Sequence, residues 1–316
     1  MAPAAIDAVY TWVDGGWPGY DALLRRHASS DHDRNPNRYR DNLSLLRYSL
    51  RSLERFAPWI RHVVLVTCRP QVPPWLDTSA VRVVHHDQFM PAGVLPTFNS
   101  FAIVSALHRI PGLTPRFVYI EDDRLLLAPV GAGDFFEEGT GRTRVVLEPS
   151  RAIDPGHARN PRLSPWNRAL AHSNALLNSR YGRKRRRTVG HVPIGIDVDR
   201  WQTMIDRWPE AFAQTLASRF RDTGNVAPEH LYPHFLLEEG EAIEVRGARA
   251  RLRAAYHPLN NLPLFQRLDL ARISWQRPAF LCLNDNFGAT PHPQSVAIAA
   301  RALEAWLPRR SRFERE

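Results

Sequence analysis

Residues 117–123 read FVYIEDD, a short apolar run that passes without a break into three acidic side chains. An apolar run of this length with β-branched and aromatic residues predicts a buried strand over 117–120. Adjacent carboxylates repel one another, and a hard divalent cation bound between them relieves that repulsion. Residues 121–123 are therefore a candidate cation site, and a solvated acidic turn is the alternative.

Strands and helices alternate on the amino-terminal side of this motif. Strands are predicted over 6–13 (IDAVYTWV), 63–67 and 81–85, and helices over 41–56, with Asp41 as N-cap, and 99–109. This alternation predicts an α/β fold, a mostly parallel sheet with helices on both faces. Ligands of such sheets bind beyond the carboxyl ends of the strands. Asp14 and residues 121–123 both follow a strand, so we expect them at that edge.

The rest of the chain suggests no separable second domain, and we expect a single folded unit over residues 1–316. Residues 1–130 hold the strand–helix alternation, and 131–190 are rich in Gly, Pro, Arg and Asn with poor periodicity, which predicts an irregular insertion or lid. Regular patterns return in 191–316. Within 194–220 a helix is predicted over 201–220, interrupted by Pro209, and further helices over 228–237 and 293–307, with a strand over 280–283.

Composition excludes several classes of protein. Hydrophobic residues make up 44% of the 316 residues and charged residues 23%, which is typical of a globular chain. No run of 18 apolar residues predicts a bilayer-spanning helix, and the first residues lack the pattern of a signal peptide. Two cysteines, Cys68 and Cys282, are too few for a disulfide framework or a cysteine-based zinc site. We therefore expect a cytoplasmic protein.

The net charge of +10 favours an anionic partner, and only one of the 42 basic residues is a lysine. Arginine binds phosphate bidentately through its planar fork. Nucleic acid is not the favoured partner, because only 183–187 (RKRRR) forms a dense basic run and no aromatic residues are interleaved with it. A solvated loop and a binding role both remain open for this run.

Four further positions are candidate site residues, each with a plainer alternative. Residues 284–286 (NDN) follow the strand over 280–283 and offer oxygen ligands, or form an Asx turn. His191 is a candidate base or a packed histidine. Arg219 and Arg221 would point the same way in an extended segment and clamp a phosphate, or form a solvated pair.

Several segments together resemble the Stealth family, which includes bacterial capsule and exopolysaccharide phosphotransferases and the human lysosomal-enzyme GlcNAc-1-phosphotransferase. The resemblance rests on four ordered blocks. They are IDAVYTWVDG at 6–15, the stretch from RYRDNLSLLRYSLRS to FVYIEDD at 38–127, GHVPIGIDVDRW through SRFR and the helix beyond at 190–235, and FLCLNDN at 280–286.

The resemblance implies a nucleotide-sugar-transferase-like α/β fold and transfer of a hexose-1-phosphate from a UDP-sugar, UDP-GlcNAc or a similar donor, with release of UMP. It also implies dependence on Mg²⁺ or Mn²⁺, a glycan or other hydroxyl acceptor, and allows a homodimer. By matching position it implies the roles of the site residues. These are donor and metal binding for Asp14, Asp122 and Asp123, metal binding for Asn284 and Asp285, the reacting phosphate for His191 and Arg221, and the nucleotide or the fold for Arg40 and Arg47. Arg219 is not placed by the match and stays a candidate phosphate ligand on the spacing argument alone.

Three positions depart from the family pattern: Glu121, Val104 and Asn225 stand where the family usually has Asn, Glu and Asp. The two strongest carboxylates remain, so the expected activity is unchanged. In the expected reaction His191, or Asp14, accepts the proton of the acceptor hydroxyl. The alternatives are a conventional glycosyltransferase that releases UDP and, from another class, a nucleic-acid or membrane-surface binding protein.

Overall fold

The structure, a computed structural model, describes residues 5–247 and 253–315. Twelve strands and nine helices are found in these ranges. In chain order they are β1 (Asp7–Thr11), α1 (Tyr20–His27), α2 (Leu45–Phe56), β2 (Val63–Thr67), β3 (Val81–His85), α3 (Ser100–Ala106), β4 (Arg116–Glu121), β5 (Arg124–Leu126), β6 (Thr143–Val145), β7 (Leu147–Ala152), α4 (Pro165–Tyr181), β8 (Arg187–Val189), β9 (Ile194–Asp197), α5 (Val198–Arg207), α6 (Pro209–Ala217), α7 (Pro228–Glu238), β10 (Ala242–Glu244), β11 (Ala254–Leu259), α8 (Pro263–Gln276), β12 (Phe280–Asp285) and α9 (Pro293–Trp306).

The main sheet has five strands in the order β3-β2-β1-β4-β9. The first four are parallel to one another, and β9 runs antiparallel to β4. The register sets Thr11 opposite both Val66 and Glu121, so the carboxyl ends of the central strands lie level at one edge. The predicted α/β fold with a mostly parallel sheet is confirmed.

Both faces of the main sheet are covered by helices, which explains why its strands are continuously apolar. Side chains alternate along β1: Val9 packs with residues of α3, α5 and α7 on one face, and Ala8 and Tyr10 pack with residues of α2 on the other. Burial of large aromatic residues such as Trp201 and Tyr232 supplies much of the apolar contact on the first face.

A smaller sheet of order β11-β12-β5 extends the structure beyond β4. Because β5 begins three residues after β4 ends, Asp122 and Asp123 form the link between the two sheets. The backbone N–H of Leu283 in β12 donates to the carbonyl oxygen of Asp123 at 3.0 Å. This bond brings Asn284 and Asp285 beside the acidic link.

The prediction of an irregular segment over 131–190 was wrong for its second half, where α4 spans 17 residues. Polar and apolar residues of α4 are both buried, among them Ser173, Asn174 and Leu177, so the sequence shows no apolar stripe for a periodicity search to find. The other predicted helices are confirmed with shifted ends. The second helix begins at Leu45, with Ser44 rather than Asp41 as N-cap, although the Asp41 carboxylate accepts backbone hydrogen bonds from Ser44 and Leu45.

The basic run over 183–187 is neither wholly solvated nor exposed as a binding patch. Arg186 is buried and donates to Glu238 at 2.9 Å, and Lys184 pairs with the same carboxylate at 2.5 Å. Arg187 pairs with Glu244. The run therefore ties the end of α4 to α7 and β10.

Within the ranges that the structure describes, no helix has both the length and the apolar character that crossing a bilayer requires.

Candidate active site

A cleft of about 410 Å³ opens at the carboxyl ends of the four parallel strands. Its lining includes residues that follow or end each of these strands: Trp12 after β1, Cys68 after β2, His86 after β3, and Glu121 at the end of β4. Ligands of open α/β sheets bind at this edge, next to the point where the strand order reverses. The reversal lies between β1 and β4, because β2 and β3 extend the sheet to one side and β4 to the other.

The acidic side of the cleft is formed by Asp122 and Asp123. Asp122 has no ion-pair partner among the described residues, whereas Asp123 accepts from Arg124 Nε at 3.3 Å and from Cys282 Sγ at 3.3 Å. Burial, reinforced by the charges of Asp123 and Asp41, raises the pKa of Asp122 well above its ordinary value. Burial also raises the pKa of Asp123, against the charge of Arg124. Two carboxylates are thus held where their ionised forms lack sufficient counter-charge.

The third predicted carboxylate, Asp285, lines the same cleft but is already paired. Both of its oxygens accept from Arg40, at 2.8 Å from Nε and 2.7 Å from the terminal nitrogen. Arg40 also donates to the backbone oxygen of Gly288 at 3.0 Å. For Arg40 this pairing corresponds to the second predicted role, support of the fold. The role of Asp285 as a metal ligand stays a prediction, with its charge already matched by Arg40. Asn284 lines the cleft beside them.

The acidic side chains of the cleft do not by themselves complete a metal site. No group of three or more His, Cys, Asp and Glu side chains in residues 5–247 and 253–315 converges as a complete metal site would. Magnesium, however, is usually held by one or two carboxylates with water and substrate phosphates completing its shell. Asp122 and Asp123, with the amide oxygen of Asn284 nearby, fit a cation of that kind.

The basic side of the cleft is formed by Arg221 and Arg38. Arg221 donates to Ser100 Oγ at 3.2 Å from Nε and 2.5 Å from the terminal nitrogen, and its guanidinium lies 4.7 Å from the ring centre of Phe101. Arg38 donates to the backbone oxygen of Phe98 at 3.2 Å. Neither arginine has a carboxylate partner among the described residues. Burial, together with the charge of Arg38, lowers the pKa of Arg221 to about 10.

His191 does not line the cleft but borders an internal cavity that adjoins it. The two spaces share Tyr119 and Glu121 as lining residues. His191 stacks against Tyr256 with ring centres 4.6 Å apart. Burial opposes ionisation of Glu121, but the charge of Arg124, with a smaller contribution from His191, outweighs it and holds the pKa of Glu121 below its ordinary value.

A second acid of this cavity, Glu229, is buried in the first turn of α7. Neither of its carboxylate oxygens bonds another described residue. Burial, with the charge of Glu121, raises the pKa of Glu229 to about 7. The cavity is thus lined by two histidines, His191 and His230, and two acids, directly beside the cleft.

Besides His191, three predicted site residues lie outside the cleft. Asp14 accepts the backbone N–H of Gly16 at 2.8 Å within its own turn. Arg47 pairs with Glu314 near the carboxyl terminus. Arg219 donates to the backbone oxygen of Pro96 at 2.9 Å and contacts His27 at 3.1 Å. Arg219 and Arg221 therefore do not form a clamp, because the loop turns their guanidinium groups to different partners.

The sequence analysis missed Arg38, His86 and Glu229. Arg38 stands in the quoted RYRD segment, but nothing in its spacing separates it from Arg40. A glutamate in the first turn of a helix, as Glu229 is, is common for electrostatic reasons and carries no functional signal. Gly15 lets Tyr39, the residue after Arg38, come close to the end of β1. The Gly15 N–H donates to the Tyr39 backbone oxygen at 2.5 Å, and a Cβ at Gly15 would lie only 2.9 Å from Tyr39 Cβ.

Residues 38–144 match Stealth protein conserved region 2, and residues 190–238 match conserved region 3. Three curated relatives are named exopolysaccharide phosphotransferases. That of Streptomyces coelicolor is 35% identical over 98% of this chain and 52% of its own length. CpsY of Mycobacterium tuberculosis is 33% identical over 96% of this chain and 57% of its own length. The relative from Nocardia farcinica is 31% identical over 98% of this chain and 61% of its own length. The chain spans about half the length of the curated relatives it matches.

Two solved structures of LgtC were also matched. An active-site mutant of LgtC has a TM-score of 0.44 and 8% identity, covering 97% of this chain and 98% of that one. The galactosyltransferase LgtC with donor and acceptor sugar analogs has a TM-score of 0.41 and 11% identity, covering 96% and 95%. A likeness of this size does not assign a fold. The chain carries two conserved regions of the Stealth family, in order, and aligns with exopolysaccharide phosphotransferases along nearly its whole length.

Proposed function

We propose that this chain is a sugar-phosphate transferase that uses a nucleotide sugar, UDP-GlcNAc or a similar UDP-sugar, as donor. In the proposed reaction an acceptor hydroxyl attacks the sugar-linked phosphorus. The new bond joins the acceptor oxygen to that phosphorus, and the bond to the bridging oxygen breaks, so that UMP leaves. The observation that carries the proposal is the half-buried guanidinium of Arg221, which forms no ion pair with a described residue, in the same cleft as the carboxylates of Asp122 and Asp123.

Arg221 and Arg38 are suited to bind the donor diphosphate. Neither forms an ion pair with a carboxylate in the described ranges. Burial, and to a smaller extent the charge of Arg38, lowers the pKa of Arg221, so the two guanidinium groups repel each other. A phosphate between them would relieve that repulsion, and a guanidinium can bind phosphate through two hydrogen bonds. Phosphoryl transfer depends mainly on such positioning and charge stabilisation.

Asp122 and Asp123 would hold a divalent cation, Mg²⁺ or Mn²⁺, with Asn284 as a neutral neighbour. When bound, the cation would neutralise charge on the diphosphate. Asp285 has a different role in this proposal, because its charge is matched by Arg40. It orients Arg40 and fixes the loop after β12 at the cleft.

His191 is the proposed proton acceptor. Imidazole is the side chain that most often accepts a proton as a general base near neutral pH. One ring nitrogen of His191 would receive the proton of the acceptor hydroxyl as the new bond forms. Asp14 is the less suitable candidate, because its carboxylate accepts from the Gly16 N–H within its own turn.

A conventional glycosyltransferase is the alternative, since it would use the same donor and cation. The acceptor would then attack the anomeric carbon, and UDP would leave. We would incubate the purified chain with UDP-sugars, Mg²⁺ or Mn²⁺ and hydroxyl acceptors, and separate the nucleotide products by anion-exchange chromatography. UMP that rises with acceptor concentration supports the proposal, and UDP contradicts it.

The same assay tests the cation. Exhaustive chelation should stop UMP release, and added Mn²⁺ should restore it. The Asp122→Asn variant should lose the response to Mn²⁺, whereas Asp87→Asn should keep it, because Asp87 pairs with Arg69 outside the cleft. Unchanged release after chelation would remove the cation from the proposal. A homodimer, a glycan acceptor and a cytoplasmic location stay predictions.

A further inference from the structure

Helix α8 is apolar on two opposite sides. One side, with Gln266, Leu270 and Ile273, is buried against the rest of the structure. On the other side Leu264, Leu268 and Trp275 are 66%, 60% and 84% exposed. Their spacing of four and seven residues aligns them on one helix face. Exposed apolar stripes of this kind are rare on soluble surfaces without a partner.

The stripe continues into neighbouring apolar surface. Leu262, just before the helix, is 57% exposed, and Phe265 is 61% exposed. A groove of about 700 Å³ runs between α8 and α9, and Leu264, Ala271 and Ile298 contribute to its lining. We call this surface, made of the stripe and the groove, the α8 face.

Arginines surround the α8 face. Arg267 and Arg301 line the groove, and Arg277 follows the last residue of α8. A second groove, of about 590 Å³, begins at Arg277. Apart from Arg51, which is paired with Glu314, three further arginines line it, namely Arg55, Arg309 and Arg310. None of these six has a carboxylate partner among the described residues.

The acidic groups near these arginines are few and already engaged. Asp269 lies 3.8 Å from Arg272 and 3.9 Å from His257. Glu304 accepts from Tyr48 and Arg51, and Glu54 lies 3.7 Å from Arg312. The face therefore combines exposed Leu, Phe and Trp with a rim of unpaired positive charge.

That combination selects one kind of partner. Leu, Phe and Trp enter the boundary between headgroups and acyl chains, while arginines pair with anionic headgroups. Tryptophan in particular is favoured at this depth, because its ring is apolar and its N–H is polar. We propose that the α8 face docks this chain on an anionic lipid bilayer, with Leu264, Leu268 and Trp275 inserted among the headgroups and the arginine rim bound to lipid phosphates.

Vesicle flotation tests this proposal with the full chain. Vesicles of phosphatidylcholine alone would be compared with vesicles containing 30 mol% phosphatidylglycerol, at low and high NaCl. We expect binding only to the anionic vesicles, weakened by salt, since screening reduces headgroup attraction. The Leu268→Ser/Trp275→Ser double variant should bind at least tenfold more weakly. Both side chains are exposed, so thermal unfolding should match the wild type.

A matched pair of charge variants separates a local site from general positive charge. Arg267→Gln/Arg277→Gln should weaken binding by tenfold or more, since each arginine near a bilayer contributes about fivefold. Arg26→Gln/Arg207→Gln, on α1 and α5, makes the same charge change away from the α8 face and should bind as the wild type does. Equal loss in both pairs, equal binding to neutral vesicles, or no binding would overturn the proposal. So would a dimer in solution that the Leu268→Ser/Trp275→Ser variant abolishes, because the stripe would then be a protein interface.

Discussion

The cleft and a cluster near the carboxyl terminus both bury arginine side chains, but they surround them with different partners. The C-terminal cluster consists of Arg47, Arg51, Glu304 and Glu314. There Arg51 donates to Glu314 at 2.8 Å and to the backbone oxygen of Leu307 at 2.8 Å. In the cleft, Arg221 donates to a hydroxyl and lies against aromatic rings, and among the described residues no carboxylate forms an ion pair with it, although the charges of Glu229 and Glu121 act on it from farther away.

The pKa shifts of the two arginines have opposite signs for this reason. Hydrogen bonding to Glu314 raises the pKa of Arg51, whereas burial lowers that of Arg221 to about 10. A buried charge without a counter-charge is costly to the fold. The comparison teaches that burial alone does not mark an arginine as functional. The absence of an ion-pair partner is the better indication of function, because a bound anion would then supply the counter-charge.

The largest effect should come from the acidic side of the cleft. Asp123→Asn is nearly isosteric but removes a charge that a hard cation requires. We expect UMP release to fall by about 10³ or more, with an unchanged melting temperature. If Asp123→Asn kept more than a tenth of the wild-type rate, Asp123 would be a residue of the turn without a role in cation binding.

Loss of the proposed proton acceptor should come next. His191→Ala should lower the rate by about 10²–10⁴, the usual contribution of a general base. UDP-sugar binding measured by calorimetry should survive while UMP release collapses. A variant that loses thermal stability but keeps its rate per folded molecule would show that His191 only packs against Tyr256.

The basic side of the cleft offers the direct test of the comparison. Arg221→Lys keeps the charge but loses the bidentate fork, and we expect a rate loss of about 10² with little change in unfolding. Arg51→Lys is the matched control and should show the reverse, a lower melting temperature with a near wild-type rate. If both variants lose stability and neither loses rate, the cleft arginine is structural and the distinction fails.

The C-terminal cluster predicts a pH dependence of stability. Burial opposes ionisation of Glu314, but the hydrogen bonds from Arg51, Ser311 and Arg47 outweigh it and lower its pKa to about 2. A carboxyl group with a lowered pKa stabilises the fold above its unfolded pKa of about 4.3 and loses that contribution as the pH falls towards 2.

Glu314→Gln should therefore cost about 3–5 kcal/mol of unfolding free energy at pH 7, because it leaves buried arginine without its partner. The difference from the wild type should shrink in urea titrations between pH 4 and pH 2. A constant difference across that range would mean that charge at Glu314 does not hold the cluster together.

The smallest effect is expected at Glu229. Its replacement by Gln should stabilise the fold, whereas replacement of Glu314 should destabilise it. Burial and Glu121 raise the pKa of Glu229 to about 7, so its contribution to stability is present below an unfolded pKa of about 4.3 and is lost as the pH rises to 7. Glu229→Gln should raise the melting temperature at pH 8 by about 2 °C or more, and less at pH 5. A lower melting temperature at pH 8 would mean that the ionised carboxylate is stabilised by a partner.

The sequence by itself determined the main sheet and the acidic edge of the cleft. The strands over 63–67 and 81–85 are predicted with their observed ends. Residues 117–123 show a strand followed directly by acidic side chains, and these side chains line the cleft. These features are local: apolar runs reflect burial on both faces, and the carboxyl ends of parallel strands share one edge. Helix α4 escaped prediction because polar side chains are buried along with its apolar ones.

Only the tertiary structure decided which charges are paired. Arg40 and Asp285 are 245 residues apart, and Arg47 and Glu314 are 267 apart, so no local pattern announces either pair. The isolation of Arg221 is equally non-local, since it depends on which side chains every neighbouring element brings to the cleft. Charges interact over a few ångströms of space rather than along the chain, and packing sets those distances.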